Sequence, residues 1–218
     1  MKIVETQPSP VLRDVLGRKP LDGTKMDPNP LVVFEEWFRE ARETEVVEAN
    51  AMSLATAGKD GRVTCRTVLL KAWDARGFIF FTNYTSEKSR QIDENPHAAL
   101  LFPWLTMGRQ VEITGRVEKI TAAESLRYFL KRPFKSQVST WVSSQSSMIT
   151  SRALLEAKFQ QMLLKFKAGK VPLPDTWGGY RVVPETIEFW QSAAHRLHDR
   201  IHYKRNYRGE WRQVRLQP

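Results

Sequence analysis

Residues 109–120 read Arg-Gln-Val-Glu-Ile-Thr-Gly-Arg-Val-Glu-Lys-Ile, and apolar side chains alternate with polar ones along most of this stretch. Val111, Ile113 and Val117 share one parity, while the two glutamates share the other. Because successive side chains of a β-strand point to opposite faces, this alternation predicts a strand with one buried and one solvated face. Such half-buried strands are typical of antiparallel sheets, since parallel sheets are covered on both faces.

Shorter strand-like segments occur on both sides of this stretch. Turns at residues 58–61 and 74–77 contain glycine, as hairpin turns often do. The predicted strands are residues 51–57, 62–71, 78–82, 97–104, 180–183, 187–204 and 211–216. Strands joined mainly by hairpins, with helices inserted, predict a mainly β (α+β) fold: an antiparallel sheet that closes fully or partly into a barrel with peripheral helices.

Helices are predicted where apolar residues recur at helical spacing or a capping signal occurs. They are residues 31–41, a short helix capped by Ser86, residues 121–130 and residues 151–167. Residues 136–147, rich in Ser and Gln, are predicted as a loop, and residues 169–179 as a linker. Residues 1–27, rich in Pro and Gly, are predicted as a flexible N-terminal arm, which leaves residues 28–218 as a single domain.

Composition narrows the class of protein. The chain has 218 residues, 41% of them hydrophobic, and a formal charge of +10, which indicates an anionic partner. Because the basic residues are not gathered in one block, a phosphorylated metabolite is favoured over nucleic acid. No apolar run approaches the ~20 residues of a membrane span. The single cysteine, Cys65, excludes an internal disulfide and is predicted to be a packed strand residue, so a cytoplasmic protein is expected.

The chemically richest stretch is residues 187–200, which read Ile-Glu-Phe-Trp-Gln-Ser-Ala-Ala-His-Arg-Leu-His-Asp-Arg. On a strand, Arg196, His198 and Arg200 would share one face. Two guanidinium groups and an imidazole together indicate a site for an anion or an aromatic ring. The alternative is a solvated row of side chains on an edge strand.

Three other segments carry groups suited to anions. Arg66 and Lys71 bound an apolar strand and by parity point to opposite faces, so they could serve two anions or be solvated. Lys88 lies near the start of a predicted helix, where free backbone N–H groups favour an anion. Ordinary capping explains Ser86 alone, and the alternative for Lys88 is a lysine that occurs there by chance. Tyr128 and Arg132, one helical turn apart, could bind a phosphate or be a polar helix end. No metal-ligand cluster and no dinucleotide-binding or P-loop glycine motif occurs.

The sequence resembles the pyridoxine (pyridoxamine) 5′-phosphate oxidase family. The specific match is Glu-Phe-Trp-Gln at residues 188–191 followed by Arg-Leu-His-Asp-Arg at residues 196–200. Weaker matches occur in the same order along residues 28–218. They are residues 66–71, 81–83, 101–104, 132–136, 141–143, 145–147 and 177–179.

This resemblance implies an FMN-binding split antiparallel β-barrel that works as a homodimer, with FMN at the subunit interface. It implies oxidation of pyridoxine or pyridoxamine 5′-phosphate to pyridoxal 5′-phosphate by hydride transfer to flavin N5, with O2 as acceptor and H2O2 as product. The implied catalytic residues are Arg196 and His198. The implied FMN contacts are Arg66, Thr67, Val68, Leu69, Leu70, Lys71, Phe81, Thr82, Lys88, Gln110, Gln145, Ser146, Trp190 and Arg200. The implied substrate contacts are Lys71, Tyr128, Arg132, Ser136, Arg196, Leu197 and His198.

The chain departs from the family pattern at a few positions. Ser192 and Ala193 stand where the family usually has two glycines, and Glu87 stands where an arginine commonly precedes the lysine that is Lys88 here.

The sequence leaves two other functions open. One is a related flavin oxidase of another aromatic substrate, of the phenazine-pathway type; the other is a non-catalytic barrel that binds FMN or nucleic acid. Tyr128, Arg132 and the nearby serine argue for a phosphorylated substrate.

Overall fold

The computed structural model describes residues 19–44, 46–167 and 169–218. In these ranges a single antiparallel sheet contains nine strands. The strands are β1 (Ala51–Ala57), β2 (Val63–Leu69), β3 (Ala72–Asp74), β4 (Gly77–Asn83), β5 (His97–Trp104), β6 (Arg109–Lys119), β7 (Trp177–Gln191), β8 (Asp199–Arg205) and β9 (Trp211–Leu216). The alternating stretch at residues 109–120 contains β6, in which every second residue from Val111 to Val117 is buried, as predicted.

The strand order makes the sheet curl back on itself. The order is β2-β1-β5-β6-β7-β4-β3, so the two end strands follow one another in the chain, while β8 pairs with β7 and β9 with β8. Between the end strands, the N–H of Leu70 donates to the carbonyl of Asn50 beside β1 (2.8 Å). The next N–H, of Lys71, donates to the carbonyl of Ile79 in β4 (2.9 Å). The predicted split antiparallel barrel is confirmed.

β7 is longer than predicted, because it joins the predicted strand 180–183 to the end of the predicted linker and to residues 187–191. Its first part pairs with β4, its last part with β8, and β6 pairs along nearly its whole length. Pro184, which cannot donate to a ladder, lies opposite Gly115 at a β-bulge, so the strand continues past it. A Cβ on Gly115 would overlap the carbonyl of Val183, so this close approach requires glycine.

Five α-helices surround the sheet in the described residues. They are α1 (Pro30–Glu43), α2 (Glu87–Glu94), α3 (Ala122–Lys131), α4 (Phe134–Val142) and α5 (Arg152–Phe166). The predicted capping box of α3 is confirmed, since Thr121 and Glu124 make both of its hydrogen bonds. None of these helices is long and apolar enough to cross a membrane.

The predicted loop at residues 136–147 is wrong in its first half, where α4 forms. Serine and threonine are weak helix formers, so the pattern favoured a loop. In the structure Val138 of α4 is fully buried in a small second core with Phe129 and Phe166, and this burial outweighs the local preference.

Two further predictions, for Cys65 and for the N-terminal arm, can be compared with the structure. Cys65, predicted as packed, is exposed, because it lies on the outward-facing parity of β2. Residues 1–18 of the predicted arm lie outside the described residues. Residues 19–27 contact the end of the barrel: the N–H of Leu21 donates to Asp199 (2.9 Å), and the hydroxyl of Tyr203 donates to the carbonyl of Asp27 (2.9 Å).

The main core lies between α1 and the inside of the barrel, with Phe34 at its centre. Phe34 is fully buried, and its ring centroid lies 4.9 Å from that of Phe78, 5.2 Å from Phe102 and 5.4 Å from Trp73. Edge-to-face contacts of this kind add to the apolar area that the ring buries. Phe34 therefore joins α1 to β3, β4 and β5.

Phe34→Ala should lower the free energy of unfolding by about 3–5 kcal/mol, because truncation leaves a cavity that several rings line. Val32→Ala, on the exposed side of the same helix, should change it by no more than about 0.5 kcal/mol. Urea titrations of both variants measure the difference. Equal losses for the two variants would contradict this assignment of the core.

Candidate functional site

A cavity of about 470 Å³ lies where β2 and β4 face one another across the split in the barrel. A volume of this size is typical of small-molecule sites. Every residue that lines it is among the FMN contacts that the resemblance implied. They are Arg66, Thr67, Val68, Leu69, Lys71, Phe81, Thr82, Lys88, Gln145 and Ser146. Leu70 is missing from this set because its side chain is buried in the core.

Arg66 presents a half-buried charge to this cavity. Its guanidinium donates to the carbonyl of Leu54 (3.0 Å), to Oγ1 of Thr56 (2.7 Å) and to the hydroxyl of Thr64. These partners are all neutral, and among the described residues no carboxylate lies within ion-pair distance of Arg66. Burial lowers the pKa of Arg66, which reflects the cost of holding its charge away from water. Its hydrogen-bonding partners were not predicted, although Thr64 shares its strand parity.

Lys88 adds a second positive charge near the first turn of α2. Its ammonium donates to Oγ1 of Thr82 (3.2 Å), to Oγ of Ser86 (3.3 Å) and to Oε1 of Gln145 (3.2 Å). Burial, and then the nearby charge of Arg66, lower the pKa of Lys88. Two cations held together beside the start of a helix, with no ion-pair partner among the described residues, have the chemistry that favours an anion.

Glu87 weakens this positive field from the rim of the cavity. It is exposed, and its charge raises the pKa of both Arg66 and Lys88, although burial has the larger, opposite effect on each. Its backbone N–H donates to Oγ of Ser146 (3.2 Å), and Ser146 itself has a left-handed backbone, with φ of 66°. A non-glycine residue held in that conformation next to a cavity is a candidate for a ligand contact.

The prediction that Arg66 and Lys71 point to opposite faces is wrong, since both line the same cavity. The parity argument assumes a continuous strand, but β2 ends at Leu69. The chain then places Leu70 in the core and turns toward β4, so Lys71 returns to the side of Arg66.

A second group of polar side chains adjoins the aromatic wall of the cavity. The ring of Tyr128 stacks on Phe81, which lines the cavity, with centroids 4.0 Å apart. The guanidinium of Arg132 lies 4.9 Å from the ring centroid of Trp177, and Trp177 stacks on Phe81 at 5.1 Å. Tyr128 and Arg132 therefore stand beside the same row of rings, as their helical spacing predicted. Ser136 follows, half-buried in the first turn of α4.

Arg132 has an unsatisfied donor. Its Nη1 is buried and has no hydrogen-bond partner among the residues that the structure describes. Burial lowers the pKa of this guanidinium. A buried charged donor without a partner is costly, and an anionic ligand that accepted its hydrogen bond would remove the cost.

The residues of the C-terminal motif form a third group. The rings of Trp190 and His198 lie 4.7 Å apart, and the N–H of Ala193 donates to Nδ1 of His198 (3.1 Å). In the neutral imidazole this bond leaves the proton on Nε2, which can donate to a ligand. Gln110 is opposite Trp190 on β6, and Arg200 is opposite it on β8.

The predicted single strand through Arg196, His198 and Arg200 is wrong. A 3-10 turn, Ala194–Arg196, interrupts it, and His195 and Arg196 have left-handed backbones, so β8 begins only at Asp199. Arg196 and Leu197 are exposed as a result. Arg200 is paired with Glu188 through two hydrogen bonds of 2.8 and 3.0 Å.

The structure therefore brings the first two groups together and leaves the third apart. None of the third group lines the cavity of about 470 Å³, and Tyr128, Arg132 and Ser136 of the second group do not line it either. The third group is Gln110, Trp190, Arg196, Leu197, His198 and Arg200. At the positions that depart from the family pattern, neither Ser192 nor Ala193 has a positive φ. Side chains there cause no backbone strain.

Two family models match the chain. One, described as "Pyridoxamine 5'-phosphate oxidase", matches residues 38–166. The other, described as "Pyridoxine 5'-phosphate oxidase C-terminal dimerisation region", matches residues 177–218. Together they cover the cavity and the C-terminal motif.

Similar proteins agree with these models. The pyridoxine/pyridoxamine 5'-phosphate oxidase of Aliarcobacter butzleri is 53% identical over 207 residues, which are 95% of this chain and 98% of the relative. That of Crocosphaera subtropica is 54% identical over 192 residues, 88% of this chain and 90% of the relative.

Solved structures extend the comparison. PhzG from Burkholderia lata 383, solved with tetrahydrophenazine-1-carboxylic acid, is 31% identical with a TM-score of 0.85 and covers 89% of this chain and 95% of its own. A pyridoxamine 5'-phosphate oxidase-related, FMN-binding protein from Nostoc punctiforme shares the fold, with a TM-score of 0.71 at 16% identity over 90% of this chain and all of its own. With both family models matched and about half of its residues identical to those of curated relatives, the chain belongs to the pyridoxine/pyridoxamine 5′-phosphate oxidase family of enzymes.

Proposed function

We propose that the chain is an FMN-dependent oxidase that converts pyridoxine or pyridoxamine 5′-phosphate to pyridoxal 5′-phosphate, with O2 as electron acceptor and H2O2 as the second product. The observation that carries the proposal is the pair of adjacent anion sites. One holds Arg66 and Lys88 without carboxylate partners, and the other holds Arg132 with an unsatisfied buried nitrogen. A flavin mononucleotide and a phosphorylated substrate would supply one phosphate to each.

The cavity residues fit FMN by their chemistry. Arg66 and Lys88 would bind its phosphate, with the hydroxyl of Thr82 and the amide of Gln145 beside them. The strand Thr67, Val68 and Leu69 would lie along the ring system, where backbone groups of an edge strand can bond to ring heteroatoms. The Nostoc punctiforme protein of the same fold, described as FMN-binding, supports this assignment.

The second group would bind the phosphate of the substrate. Arg132, Tyr128, Ser136 and Lys71 offer charged and hydroxyl donors, and Lys71 also lines the cavity, which would keep the substrate next to the cofactor. The named activity of the curated relatives, which act on pyridoxine or pyridoxamine 5′-phosphate, supports this choice of substrate.

The third group would come from a second copy of the chain. Arg196, Leu197 and His198 would then hold the substrate ring, and Gln110, Trp190 and Arg200 would reach the FMN of that site. The match of residues 177–218 to a dimerisation region supports a homodimer in which FMN lies at the interface. The exposure of Arg196 and Leu197 fits a role toward a partner.

The residues act by placement. Bound FMN would supply the electron acceptor for the hydride, at its N5 atom. Lys71 and Arg132 would fix the phosphate end of the substrate, while Arg196 and the Nε2–H of His198 would fix its ring, so that the reacting carbon is held in one orientation. In the neutral imidazole, Nδ1 of His198 accepts from the N–H of Ala193, so its Nε2–H would act on the substrate as a hydrogen-bond donor, and the proton lost by the substrate would pass to solvent.

A related flavin oxidase of the phenazine-pathway type is the second candidate, because PhzG has the same fold at 31% identity. The ligand in that structure is a carboxylic acid, and a carboxylate would also satisfy Arg132. The phenol of Tyr128 and the hydroxyl of Ser136 beside Arg132 favour the three oxygens of a phosphate ester.

Anaerobic mixing with pyridoxine 5′-phosphate tests the proposal. The purified protein should be yellow and should lose its flavin absorbance on mixing, and air should restore the colour with release of H2O2. Tetrahydrophenazine-1-carboxylic acid, the ligand in the PhzG structure, serves as the competing substrate. A colourless protein would exclude a flavin enzyme, and bleaching only by the phenazine compound would select the second candidate.

Lys88→Met should weaken FMN binding about 10- to 100-fold, because the loss of a charge-assisted hydrogen bond costs about 1.5–3 kcal/mol. Lys59→Met, in an exposed turn, is the matched control and should bind FMN as the wild type does. Flavin fluorescence during titration of the FMN-stripped protein gives both dissociation constants. If the two variants bind FMN equally, Lys88 is not a phosphate contact.

Arg132→Ala should raise the KM for pyridoxine 5′-phosphate about 10- to 100-fold, again from the loss of one charge-assisted contact. The affinity for FMN should stay unchanged, since Arg132 does not line the cavity. Steady-state kinetics with FMN in excess separates the two effects. An unaltered KM would remove Arg132 from the substrate site.

A further inference from the structure

Arg181 is a buried charge with no part in the proposed chemistry. It lies on β7 between Ile79 of β4 and Glu118 of β6, and its side chain is 3% exposed. A guanidinium at that depth must be paired. Its carboxylate partners belong to separate elements: Glu118 at 3.4 Å, Glu124 of α3 at 3.4 Å and Asp74 of β3 at 3.6 Å.

Glu124 has two roles at once. Its Oε2 accepts from the N–H of Thr121 (3.0 Å) and from the hydroxyl of Thr121 (2.9 Å), which completes the capping box of α3. Its Oε1 faces Arg181, and it also accepts a hydrogen bond from the exposed Arg76 (3.1 Å). The hydrogen bonds from Thr121, with smaller contributions from the two arginines, lower the pKa of Glu124 to about 2. The same carboxylate therefore caps α3 and attaches it to the barrel.

Helix α3 carries Glu124 and the proposed substrate-binding side chains along one face. Glu124, Tyr128 and Arg132 follow one another at four-residue intervals, so they lie along one face of α3. The anchor is at the start of this ridge, and Arg132 is at its end, as the C-cap of the helix. Between them, Ser125 adds a second attachment, because its hydroxyl accepts from the N–H of Gly179 in β7 (3.3 Å).

We infer that Arg181 is a positioning residue, which holds α3 on the barrel through Glu124 and thereby fixes Tyr128 and Arg132 beside the cavity. The placement of α3 follows from the contacts alone. The consequence for substrate binding rests on the function proposed above.

Hydrogen exchange tests the placement without any activity. In Arg181→Met, backbone amides of α3 should exchange about tenfold faster or more, because α3 loses its charged anchor, while those of α2 keep the wild-type rate. Arg208→Met, in an exposed turn, is the matched control and should change neither helix. Protection of α3 that is unchanged, or lost no more than that of α2, would overturn the inference, whether or not the enzyme proves to be an oxidase.

Kinetics tests the consequence for the substrate. Arg181→Met should raise the KM for pyridoxine 5′-phosphate about 10- to 100-fold, as small displacements of binding groups do, with the FMN dissociation constant unchanged. In an Arg132→Ala background, the same substitution should raise the KM by a much smaller factor, because the main group that it positions is already absent. Full multiplication of the two factors would show that Arg181 affects KM independently of Arg132, and would overturn its role in positioning that side chain.

Two milder variants keep the test decisive if Arg181→Met does not fold. Arg181→Lys keeps the charge but loses the fork that reaches several carboxylates, and Glu124→Gln keeps an acceptor for the capping box but loses the charge. Each should loosen α3 and raise the KM in part, with lysine closer to the wild type than methionine. A folded Arg181→Lys and a folded Glu124→Gln that both match the wild type in exchange and in KM would overturn the inference.

Discussion

The architecture depends on one backbone segment that changes its hydrogen-bonding partner. Between β2 and β3 the N–H of Leu70 bonds to Asn50 beside β1 and that of Lys71 bonds to Ile79 of β4, so the barrel closes at this point. Closer to the start of β2, no ladder joins it to β4 in the described residues, and the gap is the cavity. The cavity is therefore a direct result of how the sheet closes: strands β2 and β4 form most of its wall, and Lys88 of α2 and the loop residues Gln145 and Ser146 complete it.

The distribution of carboxylates then decides where an anion can bind. Away from the cavity, Arg109, Arg181, Arg200 and Arg215 each have a carboxylate partner in the described residues. At the cavity and its aromatic wall, Arg66, Lys88 and Arg132 have only neutral partners or none. The net charge of +10 indicated an anionic partner but not its place. The place is indicated by the half-buried cations at the cavity and its aromatic wall, Arg66, Lys88 and Arg132, which have no carboxylate partner among the described residues.

The sequence patterns predicted those structural features that depend on residues close to one another in the chain. Both the alternation of buried and exposed side chains along β6 and the capping box of α3 could be predicted, because each depends on residues close in sequence. The helix at residues 134–142 and the exposure of Cys65 depend on tertiary packing, which the local sequence does not specify. The turn at His195 and Arg196 depends on left-handed backbone conformations, and neither residue is a type, such as glycine, that predicts them. The residues that line the cavity came from the family resemblance, since their strand parity alone separated Arg66 from Lys71.

The length of β7 sets a limit on what one copy of the chain can do. Trp177, under Arg132, and Trp190, beside His198, stand near opposite ends of this strand. At ~3.3 Å per residue, the length of strand between them is on the order of 40 Å, several times the span of a vitamin phosphate. A catalytic centre that uses both ends must therefore be shared, and two-fold symmetry would generate such centres in pairs, each built half from one chain and half from the other.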